Sequence, residues 1–72
     1  MKQSVSEKKL KAFQENLPKL RKKYGVSQTE LAYFTGISRY SIIKYEKGTM
    51  QLKQPYYMAI CMAFHQLKTN AQ

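Results

Sequence analysis

Apolar residues recur at helical spacing along most of the chain, and few segments alternate apolar and polar residues as a strand does. The first stripe steps by three or four residues and consists of Leu10, Phe13, Leu17, Leu20 and Tyr24. A later stripe, also at helical spacing, consists of Tyr57, Ile60, Cys61, Phe64 and Leu67. We therefore predict an all-α bundle of five short helices, the first two of which are divided by a proline.

Pro18 interrupts the first stripe, because proline lacks an amide hydrogen and clashes with the preceding helical turn. The helix either kinks there or ends near Glu15, with a new helix beginning beside the proline. We favour the break, because Asn16 is a suitable N-cap and proline suits a first turn. Ser4 and Glu7 fit a capping box, which predicts the start of the first helix.

The middle of the chain is typical of a helix-turn-helix, two short helices joined by a glycine turn. One helix is predicted over residues 27–35, beginning with a Ser-x-x-Glu capping box, and a second over residues 38–47. Gly36 permits the left-handed backbone of the turn between them. The inward positions of the pair are all apolar: Leu31, Ala32, Ile37, Ile42 and Tyr45. A loop with Leu52 in the core then leads to a last helix beginning at Pro55.

The second helix of such a unit enters the major groove of DNA, so its outward residues are candidates for base contacts. These are Arg39, Tyr40, Ile43 and Lys44. Arginine can bond guanine at two points, lysine can reach guanine, and tyrosine or isoleucine can contact a thymine methyl group. Phosphate contacts are predicted beside this helix and at the N-terminus of the preceding one, where free amides attract anions. The predicted phosphate contacts are Ser27, Gln28, Thr29, Ser41, Lys47 and Lys53.

Composition supports a nucleic-acid partner without proving one. The 72 residues include 13 Lys and Arg against 4 acidic residues, a formal net charge of +9. This excess indicates a polyanion, either nucleic acid or an acidic membrane surface. The run Lys8, Lys9, Lys11 is either an arm that touches DNA or a solvated helix face, and we favour the solvated face.

The sequence does not favour an enzyme, a metal site or a cofactor. His65 has no carboxylate or nucleophile near it in sequence, and no glycine-rich phosphate loop occurs. Cys61 and His65 form half of a metal site, but no further Cys or His completes it. The apolar runs are too short to span a bilayer, and no signal peptide is evident. With a single cysteine as well, we expect an intracellular, cytoplasmic protein.

The segment LRKKYGVSQTELAYFTGISRYSIIKYEKG resembles the Cro/CI-type, or XRE-type, helix-turn-helix family, which has the lambda-repressor-like fold. The resemblance covers about residues 17–64 and implies a five-helix domain whose third helix contacts the groove. It implies that Gln28 contacts phosphate and braces the recognition helix, and that Arg21 and Glu46 form a structural ion pair. It places three residues at base-contacting positions: Arg39, Tyr40 and Lys44.

These observations predict a basic helical extension over 1–16, a helix-turn-helix domain over 17–68 and a polar tail over 69–72. The predicted function is that of a sequence-specific transcriptional regulator, a repressor, which binds double-stranded DNA as a homodimer because one short helix contacts too few bases. The last helix is the expected dimer interface, through exposed Tyr56, Met58 or Phe64.

Two alternatives to this prediction stay open. Tyr33 and Phe34 occupy positions that are usually charged in the family, and adjacent exposed aromatics suggest a partner surface. The alternative is therefore an antitoxin or accessory module of the same fold that holds a protein partner. The other alternative is non-specific binding to a polyanion or membrane surface through charge alone.

Overall fold

The structure, a computed structural model, describes residues 6–70. Over this range it contains four helices and no strand: α1 (Glu7–Tyr24), α2 (Gln28–Thr35), α3 (Arg39–Lys47) and α4 (Gln54–Asn70). Helices α1 and α2 each pack against both α3 and α4. The all-α prediction is confirmed, but the predicted count of five helices is wrong for the described residues.

The difference lies at Pro18, because α1 continues through this residue without a break. Gln14 and Leu17 are buried on the N-terminal side of the proline, and Arg21 is partly buried one turn beyond it. One face of α1 therefore packs against the rest of the protein on both sides of the proline. This packing outweighs the hydrogen bond that the proline cannot donate. Asn16, the expected N-cap, lies exposed within the helix.

The outer ends of the first and last helices also differ from expectation. Ser6 is the N-cap of α1, and its hydroxyl accepts a 3.2 Å hydrogen bond from the Lys9 amide. The predicted cap Ser4 lies outside the described residues. Helix α4 begins at Gln54, one residue earlier than predicted, and extends to Asn70, so the described part of the predicted polar tail is helical.

The ends of the two central helices agree with the sequence prediction. The capping box is confirmed, since the Glu30 amide donates to Ser27 Oγ at 3.0 Å and the Ser27 amide donates to the Glu30 carboxylate at 2.9 Å. Ser38 caps α3 by accepting a 3.1 Å hydrogen bond from the Ser41 amide. Gly36 has φ of 78°, which is the left-handed conformation expected of this turn.

A single apolar core lies between the four helices. Its buried members are Leu17, Val26, Leu31, Ile37, Ile42, Tyr45, Leu52, Ile60, Ala63 and Phe64. The Tyr24 and Phe64 rings stack with centroids 5.1 Å apart, which fixes the end of α1 against α4. Phe64 therefore belongs to the core, and its predicted exposure at a dimer interface is wrong. The predicted core position of Leu52 is confirmed.

Candidate nucleic-acid interface

One side of α3 is buried and the other carries the predicted base contacts. Ile42 and Tyr45 are buried, whereas Arg39 is exposed and Tyr40 is 68% exposed. Ile43 and Lys44 are partly exposed. The structure thus brings these four side chains together on α3 and leaves the N-terminal pair, Arg39 and Tyr40, accessible.

Tyr40 and Lys44, one turn apart, contact each other. The Lys44 ammonium lies 4.4 Å from the centroid of the Tyr40 ring. A cation–π contact at an exposed site contributes about 0.5–1 kcal/mol, which is enough to favour one arrangement of two long side chains. A cation is therefore held over the ring of the exposed Tyr40.

Arg21 and Glu46 form a bidentate ion pair between α1 and α3. Arg21 Nε lies 2.6 Å from Glu46 Oε2, and Nη2 donates to Oε1 at 3.0 Å. Gln28 Nε2 donates to the same Oε1 at 3.0 Å, and Arg21 Nη1 donates to the Val26 carbonyl at 3.2 Å. The hydrogen bond to Glu46 raises the pKa of Arg21 despite the opposing effect of burial, so the guanidinium stays charged. Three helices are thereby joined at the end of α3.

Gln14, also on α1, holds the same end of α3, a role that the sequence patterns above do not predict. Its buried Nε2 donates to the carbonyls of Tyr45 and Met50 at 2.9 and 2.8 Å. Its Oε1 accepts a 2.9 Å hydrogen bond from the Leu52 amide. The sequence does contain a signal for this buried role, because Gln14 lies four residues after Leu10 on the inward stripe of α1. A polar residue on a buried stripe needs buried partners.

Of the predicted phosphate contacts, three lie at the N-terminus of α2. Ser27 and Thr29 are exposed and Gln28 is partly buried. The amides of Gln28 and Thr29 lie in the first turn, where the helix itself supplies no carbonyl partner. These amides can attract an anion, although the Glu30 carboxylate close by opposes it.

The other predicted phosphate contacts lie on α3 and after it. Lys47 and Lys53 are exposed. The Ser41 hydroxyl is partly buried and accepts a 3.0 Å hydrogen bond from the Ser38 hydroxyl. Its own proton can still be donated to an external oxygen.

Lys8, Lys9 and Lys11 are exposed along α1. Cys61 is a free, half-buried thiol, and a hydrogen bond with it raises the pKa of the Tyr57 phenol. Within residues 6–70, His, Cys, Asp and Glu side chains nowhere form a group of three or more that could hold a metal ion. None of the helices in that range is both long and apolar enough to cross a bilayer.

Comparison with known proteins agrees with this geometry. A model of the helix-turn-helix family matches residues 19–65, which is more than half of the chain. A Pyrococcus furiosus protein that carries the name of an HTH-type transcriptional regulatory protein is 59% identical over 34 residues. The match covers 47% of this chain but only 11% of that protein, so about half of the chain corresponds to a small part of this relative. No solved structure matches the chain.

Proposed function

The chain belongs to the XRE-type helix-turn-helix family, and we propose that it is a transcriptional regulator that binds specific sequences of double-stranded DNA. The observation that supports this function best is α3, whose inner side is buried while Arg39 and Tyr40 are exposed at its N-terminal end. An exposed helix end with hydrogen-bonding side chains suits the major groove, which presents a distinct pattern for each base pair.

In the proposed complex, Arg39 bonds a guanine through two hydrogen bonds, and the Tyr40–Lys44 pair contacts the adjacent bases. Each good bidentate contact discriminates by about 1–3 kcal/mol. Ile43 supplies an apolar contact for a thymine methyl group. The six predicted phosphate contacts around α2 and α3 set the register of the helix in the groove but carry no sequence information.

Binding benefits from a recognition helix that is already held in position. Arg21 and Gln28 hold Glu46 of α3, and Gln14 holds the loop that follows α3. Because these contacts exist before DNA binds, less conformational entropy is lost on binding. Gln28 has a second amide proton, which can be donated to a phosphate while the first stays on Glu46.

The regulator is proposed to act as a homodimer on a two-fold symmetric operator. The nine residues of α3 extend about 14 Å at 1.5 Å per residue, which is the length of only about four base pairs. Two copies bound about 34 Å apart contact twice as many base pairs. We propose that the protein is a repressor, because a protein bound over a promoter excludes other proteins from the same DNA.

Selection of bound sequences from a random duplex pool tests this function. We expect a two-fold symmetric motif with half-sites about one helical turn apart. Affinity for the selected duplex should exceed that for random DNA about a thousandfold or more at one fixed salt concentration. Equal affinity for selected and random duplexes would contradict sequence-specific binding.

A second candidate function is that of an antitoxin or accessory protein that holds a protein partner. Tyr33 supports it, since this aromatic side chain is 83% exposed and adjacent to the half-exposed Phe34. Capture experiments with the unmodified chain and a Tyr33→Ala/Phe34→Ala variant separate the candidates. If the variant no longer binds a purified partner but keeps its DNA affinity, the partner function is supported. If the variant still binds that partner, the partner function is contradicted.

A further inference from the structure

An apolar groove lies between the C-terminal half of α2 and the middle of α4. Its volume is about 250 Å³, and it is lined by Phe34, Thr35, Ala59, Met62, Ala63 and Gln66. The two largest apolar side chains are accessible, since Phe34 is 49% and Met62 is 64% exposed. Met58, one turn before Met62, is 52% exposed and extends the apolar surface beyond the groove. This groove is outside the residues assigned to DNA.

The groove lies on helices that are nearly free of positive charge. The chain contains 13 Lys and Arg residues, but α2 contains none and α4 contains only Lys68, close to its end. Seven of the basic residues instead lie on α1 and three on α3. The lining of the groove has no ionisable side chain.

We propose that this groove is the surface on which a second copy of the chain docks, an inference that rests on the proposed function because that function requires two copies. Each copy carries a formal charge of +9, so faces that carry lysine repel one another. The uncharged α2–α4 surface is where two copies can approach most closely. An acidic partner would instead find complementary charge on α1 and α3.

The composition of the groove fits an interface related by a two-fold axis. In such an interface the same patch is used twice, so Phe34 and Met62 of each copy face those of the other copy. Ala59 and Ala63 leave space between α2 and α4 into which a ring or a thioether can insert. Methionine is unbranched and adapts to the shape of an apolar partner. The exposure of Phe34, which DNA contacts do not explain, thus has a role.

Sedimentation equilibrium of the whole chain without DNA tests the proposal. We expect a monomer–dimer equilibrium that tightens several-fold between about 0.05 M and about 0.5 M salt, because salt screens the repulsion between basic copies. Met62→Glu should weaken the dimer at least tenfold, although it lowers the net charge and hence the repulsion. Phe34→Glu should act in the same direction, and circular dichroism melting of both variants verifies that they fold.

Tyr33→Glu is the matched control, because it introduces the same charge beside Phe34 at a residue that does not line the groove. Its dimer affinity should stay within about twofold of the original chain, as expected for a surface substitution. Equal weakening by Tyr33→Glu and Met62→Glu would overturn the proposal. So would a chain that stays monomeric near millimolar concentration at both salt concentrations, or association that weakens as salt rises.

The DNA experiments separate this inference from the proposed function. A DNA-free dimer that depends on Met62 but shows no sequence preference contradicts the function and supports the interface. Tight binding of the selected duplex by a chain whose dimer is unaffected by Met62→Glu and Phe34→Glu supports the function and overturns the interface.

Discussion

Gln14 and Leu52 are 38 residues apart in sequence and are joined by a 2.9 Å hydrogen bond from the Leu52 amide to the Gln14 side-chain oxygen. The side-chain nitrogen of Gln14 donates hydrogen bonds to two backbone carbonyls, those of Tyr45 and Met50. One glutamine thus pairs three backbone groups at the junction between α3 and the loop that leads to α4. The C-terminal end of α3 is thus tied to α1.

Gln14→Ala should lower the free energy of unfolding by about 2–4 kcal/mol, because three backbone groups lose their partner. Urea denaturation of the purified variant measures the change. Gln51→Ala is the matched control, because Gln51 lies exposed in the loop after α3, outside the proposed dimer groove, and should change stability by less than about 0.5 kcal/mol. Similar stabilities for both variants would contradict the role assigned to Gln14.

Pro18→Ala should raise the free energy of unfolding by about 1–3 kcal/mol, because alanine restores an amide donor inside a continuous helix and removes a steric clash. Thermal melting followed by circular dichroism measures the difference. Pro55→Ala is the control, because Pro55 lies in the first turn of α4, where proline is tolerated. If the chain instead broke at Pro18, the substitution would leave stability unchanged or lower it.

The ion pair between Arg21 and Glu46 should show a coupling free energy of about 1–3 kcal/mol in a double-mutant cycle. The cycle compares the chain with Arg21→Met, Glu46→Gln and the combined variant by denaturant unfolding. The expected value exceeds that of a surface pair because the contact is bidentate and the Glu46 side chain is only 9% exposed. A coupling near zero would show that the pair does not stabilise α3. Glu15→Gln, on the exposed side of α1, is the control for loss of an acidic charge.

Arg39→Ala should relax the base preference at one position of each half-site, at a cost of about 1–3 kcal/mol for the preferred base. Titration of duplexes that differ by single base pairs, at fixed salt, measures this loss. Lys53→Ala should instead weaken binding to all duplexes equally and reduce the salt dependence. Uniform weakening by Arg39→Ala would indicate that this residue contacts only the backbone of the DNA.

Tyr45 should make the stability of the protein sensitive to alkaline pH. Burial raises the pKa of Tyr45, and Tyr56, whose ring centroid lies 6.5 Å away, adds to the effect. The folded state therefore keeps the phenol proton longer than the unfolded state, whose tyrosine pKa is about 10. The resulting stability is fully present below the unfolded pKa and is lost as the pH rises from there through the raised pKa of the folded state.

Denaturation between about pH 8 and about pH 11 should show the chain losing stability relative to Tyr45→Phe, which has no phenol proton. Tyr33→Phe, at a residue that is 83% exposed, should follow the original chain over this range. A constant difference between the chain and Tyr45→Phe at all pH values would contradict the prediction.

The central helix pair follows directly from the sequence, because the signals there are local. The capping box of Ser27 and Glu30, the left-handed turn at Gly36 and the cap at Ser38 each depend on residues within a few positions of one another. Helical spacing alone likewise predicts that Ile42 is buried and that Arg39 is exposed. Secondary structure within residues 27–48 was therefore predictable.

The features that join distant segments follow from helix packing and not from local sequence signals. Helix α1 continues through Pro18 because packing on both sides outweighs a local preference for a break. The groove at Phe34 exists because α2 packs beside α4, and Gln14 is satisfied because the loop after α3 folds onto α1. The pairing of Arg21 with Glu46 was implied by a family resemblance and not by the residues themselves. Local patterns specify backbone conformation, whereas contacts between residues 25 to 38 positions apart in sequence form only when the helices pack.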